Sequence, residues 1–190
     1  MLKKISAFIF IAILLAFPSF SSKANNYFSI GYNFALPTSD FNNVVSNASG
    51  VQLKLENRRF CNYWFGVNAE YFFIQNKENI VENVKNIFAL SPNIKFLIFS
   101  KNNINDYKGN LAIYLSPGLT FSNIEGEDDL SPLGFGGYAN IGSRYGFKMF
   151  ERCASLDFNI KYNLPNFIFK DSDRETFQYI AIGLSLGICL

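Results

Sequence analysis

The sequence predicts an all-β fold: an eight-stranded antiparallel up-and-down transmembrane β-barrel, preceded by a cleavable signal peptide. Three observations predict it. The chain opens on a short basic and apolar leader. Beyond it, apolar residues recur at every second position in eight successive segments, not with the helical period. The apolar faces of those segments carry no charge, and the opposite faces are built mostly of Gly, Ala, Ser, Asn and Tyr.

The leader reads MLKK, then ISAFIFIAILLAF, then PSFSSKA. A basic head, a short apolar run and small residues at Ser22 and Ala24 are the features of a secretory signal cleaved after Ala24. The run is short for a span of about 20 residues. The expected organisation is therefore residues 1–24 as signal peptide and 25–190 as one barrel domain. The 190-residue chain has 17 basic and 15 acidic residues; removing Lys3, Lys4 and Lys23 with the leader leaves 14 minus 15, or −1. The full-length excess of positive charge thus gives no support for nucleic acid as a partner.

Each strand follows from its alternation. Phe28, Ile30, Tyr32 and Phe34 mark the first, within Asn26 to Ala35. Val51, Leu53 and Leu55 mark a short second one. Phe65, Val67, Ala69, Tyr71 and Phe73 mark the third, and Phe88 through Ile98 the fourth. Leu111 through Phe121, Leu133 through Ile141 and Ala154 through Leu164 give three more. The eighth, FQYIAIGLSLGICL, places Ile or Leu at every second position from Ile180 to Leu190. Strands of about ten residues with hairpin connections suit a membrane barrel. The connectors after strands one, three, five and seven are longer and mostly polar; the first is PTSDFNNVVSNASG.

Alternation defines two faces, and composition says which one meets lipid. A solvated face is rich in Lys and Glu. Here the polar faces are small, as a narrow lumen requires. Phe28, Phe34, Tyr71, Phe73, Phe88, Phe121, Phe135, Tyr145 and Tyr162 lie near the ends of the apolar bands, where interfacial girdles sit. Closure also satisfies every backbone polar group without water. Pro92 and Pro117 each lack a donor, so a bulge or local distortion is expected there.

The leader, the eight hairpin-linked strands and the apolar-ended last strand resemble the small outer-membrane barrels of the OmpA/OmpX type. The resemblance is architectural and covers residues 25–190. It implies the outer membrane of a Gram-negative bacterium, periplasmic termini and outward-facing longer loops. It implies outer-membrane lipid, lipopolysaccharide and the barrel assembly machinery as partners, with a host or extracellular ligand of unknown kind. That machinery reads the last strand, which in this family usually ends in an aromatic; here the residue is Leu190. The function it implies is non-enzymatic, at the cell surface: envelope integrity, adhesion or interaction with the environment. The alternative is a narrow passive channel through the lumen.

Chemistry is sparse. The chain has no histidine, so activation of Ser or water would need another base. No catalytic residue, cofactor or metal is expected. Glu125, Glu127, Asp128 and Asp129 in NIEGEDDL read as a solvated acidic loop, with weak binding of a hard cation as the alternative. Seven charges fall on the small-residue faces: Lys54, Glu56, Glu70, Lys95, Arg144, Asp157 and Lys161. They form either a structural plug or a gate. The turn FKMFER sets opposed residues of strands six and seven to sum to about 301, which puts Arg144 opposite Asp157. Glu70 and Lys161 lie at similar heights across the lumen. Cys61, Cys153 and Cys189 fall near the periplasmic rim. Cys153 and Cys189 match the register of the last hairpin, so a disulfide between them is expected in an oxidising compartment.

Overall fold

Period-two alternation becomes strand wherever neighbours can pair. The computed structural model describes residues 25–39, 41–60, 63–78, 84–100, 109–126, 133–163 and 178–190. Within them lie β1 (Asn25–Pro37), a single helical turn α1 (Phe41–Val44), β2 (Val45–Phe60), β3 (Tyr63–Asn76), β4 (Val84–Ser100), β5 (Asn110–Gly126), β6 (Leu133–Met149), β7 (Arg152–Asn163) and β8 (Tyr179–Cys189). Each strand pairs antiparallel with the next, and β8 pairs with β1, closing an eight-stranded barrel. The strands run longer than the ten residues that spanning alone requires. The leader and its cleavage position at Ala24 lie outside the described residues.

Two differences from expectation have physical causes. Residues 45–50 are strand, not connector. Their small polar side chains carry no apolar signal, yet Ala48 and Ser49 pair with β1 on one side and with β3 on the other. Pairing on both flanks overrides weak local propensity. At the prolines, no register shift occurs. Between β4 and β5 the paired positions skip from Leu90–Phe121 to Asn93–Gly118 and then to Phe96–Leu115. A missing N–H thins the ladder without changing the residue count. The register shifts of this pair fall elsewhere, between Val84 and Asn86 and between Leu97 and Phe99.

The β6–β7 hairpin turns in two residues, Phe150 and Glu151, with φ of 49° and 63°. Positive φ at both positions is the geometry whose twist matches the flanking strands.

The faces segregate as composition requires. Ile30, Val51, Leu53, Ile141, Leu184 and their neighbours stand outward and exposed, while every lumen charge is at most 5% exposed. Outward aromatics gather toward both ends: Phe34, Phe73, Phe88 and Phe121 at the loop end, and Tyr63, Phe99 and Tyr145 at the end that holds the termini. A water-soluble barrel would invert this distribution. No helix among the described residues is long and apolar enough to cross a membrane.

Candidate functional site: the lumen charge network

The lumen is layered. At the loop end, Phe41 from α1 packs with Val45, Phe72, Ile87 and Tyr179 in an apolar cap. At the other end, Tyr27, Trp64 and Cys153 form a second cap, with Leu97 and Cys189 against it. The charged side chains lie between the caps.

Asp157 on β7 is the hub. Its Oδ1 accepts from Lys54 Nζ at 3.1 Å and from the Tyr114 hydroxyl at 2.7 Å. Its Oδ2 accepts from Arg144 Nε at 3.0 Å and lies 3.5 Å from Lys95 Nζ. Glu56 is the second acceptor: Lys95 Nζ reaches its Oε1 at 2.5 Å, and Arg144 Nη2 bonds its Oε2. Lys54 also donates to Asn159 Oδ1 at 3.0 Å. Buried charges persist only when paired and hydrogen-bonded, and here each carboxylate meets more than one cation.

Glu70 and Lys161 form a separate node across the lumen, 2.5 Å apart. Asn33 Nδ2 donates to Glu70 at 2.9 Å, and Lys161 Nζ donates to Ser91 Oγ at 3.4 Å. Rings cover the cations from above and below. Arg144 lies 4.4 Å from the Trp64 centroid, Lys95 3.9 Å from Tyr114, and Lys161 4.4 Å from Tyr138. Cation–π contact is strongest where water is excluded, as in this lumen.

Strand register explains how such large side chains fit. Tyr114 pairs with Gly142, and Tyr138 with Gly118. A Cβ at Gly142 would stand 2.3 Å from the Tyr114 hydroxyl oxygen, and one at Gly118 would stand 2.5 Å from the Tyr138 ring. Each ring lies over a glycine on the neighbouring strand.

The structure therefore brings Lys54, Glu56, Lys95, Arg144 and Asp157 into one cluster, and places Glu70 with Lys161 apart from it. Arg144 stands directly opposite Asp157 in the β6–β7 register. Cys153 and Cys189 lie side by side in the second cap with Cα atoms 5.4 Å apart, within the reach of a disulfide. Cys61, Glu127, Asp128 and Asp129 lie outside the described residues. Tyr114, Asn159 and the cation-covering aromatics were not singled out from the sequence. The signal for Tyr114 was a large ring on an otherwise small face, opposite a glycine. Cavities of about 10 and 30 Å³ flank the network, one in each cap.

No family model matches the chain, and no characterised protein matches it by sequence. By structure it is similar to Neisserial surface protein A (NspA), with a TM-score of 0.55 at 13% identity, covering 89% of this chain and 99% of that one. It is also similar to the outer membrane protein OprG from Pseudomonas aeruginosa, with a TM-score of 0.51 at 10% identity, covering 87% and 93%. These likenesses establish the fold: a small eight-stranded barrel of the outer-membrane type.

Proposed function

We propose that this chain is a non-enzymatic integral protein of the bacterial outer membrane whose lumen is a structural plug and whose work is done at its surface. The observation that carries this reading is the occlusion of the lumen. Two apolar caps enclose a charge network whose members are almost wholly buried. A side-chain-filled interior matches what eight strands can enclose. The outward apolar belt supports lipid and lipopolysaccharide as the surrounding phase. The regular last strand supports recognition by the barrel assembly machinery. The neighbours' names, a surface protein and an outer membrane protein, agree with that location. Adhesion or envelope integrity through the outward connectors is the role left to such a scaffold.

The test is recording in planar bilayers. The native barrel is expected to show no steady conductance, and a stable open level would overturn the plug and favour a narrow channel. N-terminal sequencing of the exported protein is expected to begin at Asn25; a retained leader would refute cleavage after Ala24.

A further inference from the structure

By formal charge, the larger cluster of described side chains is not neutral. Lys54, Lys95 and Arg144 supply three positive charges, and Glu56 and Asp157 supply two negative ones. Tyr114 adds a donor and no charge. A surplus of one positive charge is thus held in a space from which water is largely excluded, where an unbalanced charge is costly. Arg144 bonds through Nε and Nη2, leaving Nη1 buried without a hydrogen-bond partner among the described residues. Trp64 Nε1 and Ser155 Oγ are likewise buried and unpartnered among them. All three residues are at most 5% exposed. All three line the same cavity of about 30 Å³, at the end of the lumen that holds the termini. That is more room than the ~10–15 Å³ one water needs.

We propose that this cavity is a binding site for a monatomic anion of chloride's size. Its donors are the Arg144 guanidinium, the Trp64 indole N–H and the Ser155 hydroxyl. Among the described residues no carboxylate lines the cavity. An anion there neutralises the surplus formal charge and satisfies groups that lack acceptors among the described residues.

Trp64 is the chain's single tryptophan and reports on the site directly. The folded barrel in detergent is titrated with bromide against gluconate at constant ionic strength, reading Trp64 emission. Quenching is expected to saturate and to be reversed by chloride. Ser155→Ala is expected to raise the bromide midpoint about tenfold, the loss for one hydrogen bond to a charged group. Quenching that is absent or rises linearly without saturation would overturn the site, as would an unchanged midpoint in Ser155→Ala. Bromide-soaked crystals of the native protein need no variant. An anomalous peak beside Arg144 and Trp64 is expected, and a cavity without one rejects the proposal.

Discussion

Asp157 accepts from Lys54, Lys95, Tyr114 and Arg144 with no exposure to solvent, so its loss leaves Lys54 without a carboxylate and Lys95 and Arg144 sharing Glu56 alone. Asp157→Ala is expected to cost ~3–5 kcal/mol of unfolding free energy, the scale for an orphaned buried ion. Urea titration of the barrel in lipid vesicles measures it, and a loss under about 1 kcal/mol would mean that water reaches the cluster. Gly142→Ala acts on the same node from below. The new methyl would collide with Tyr114, and overpacking of this kind costs ~1–3 kcal/mol. The same titration reads it. Of these residue-level features, the charges and their inward direction were legible from alternation alone. The Tyr–Gly pairs were not, because each depends on which residue of β5 faces which residue of β6.

Two elements carry features that substitution can test. Phe150 and Glu151 both occupy the left-handed region, where a non-glycine residue is strained by ~1–3 kcal/mol. Replacing the pair by Asn-Gly, Phe150→Asn with Glu151→Gly, is expected to raise the urea midpoint; a lowered midpoint would show that the native side chains compensate. Cys153 and Cys189, 36 residues apart in sequence, stand within disulfide reach of each other across the last hairpin. Chain-entropy arithmetic for a loop of that size gives about 4 kcal/mol. Cys153→Ser is expected to destabilise the barrel by up to that amount, and peptide mapping of the unreduced native protein should recover the crosslinked pair. Two free thiols would reject the bond. Strand existence was legible for seven of the eight strands over most of their length. The start of β2 was not, because Ser46 to Gly50 are specified by their partners rather than by their own side chains.

At the scale of the whole molecule, every backbone edge is closed and the apolar surface faces outward. Such barrels resist detergent until heated. The unheated protein is therefore expected to migrate apart from the boiled one on a gel and to fractionate with membranes. A soluble protein without a mobility shift would refute the membrane reading. The same closure brings Lys54 on β2 to Asp157 on β7, although 103 residues separate them.

That contact marks the boundary between the two sources of information. Alternation, composition and the leader sufficed for the fold class, the lipid face and the inward direction of the seven charges. A tight turn propagates register along a hairpin, so Arg144 opposite Asp157 was also readable, because neighbours in a hairpin are set by counting residues. Partners across the lumen obey a different rule. Strand tilt and stagger in the closed barrel decide which heights coincide. Only the tertiary structure therefore shows Glu56 shared by Lys95 and Arg144, rings stacked over the cations, and a surplus formal positive charge beside three donors unpartnered among the described residues.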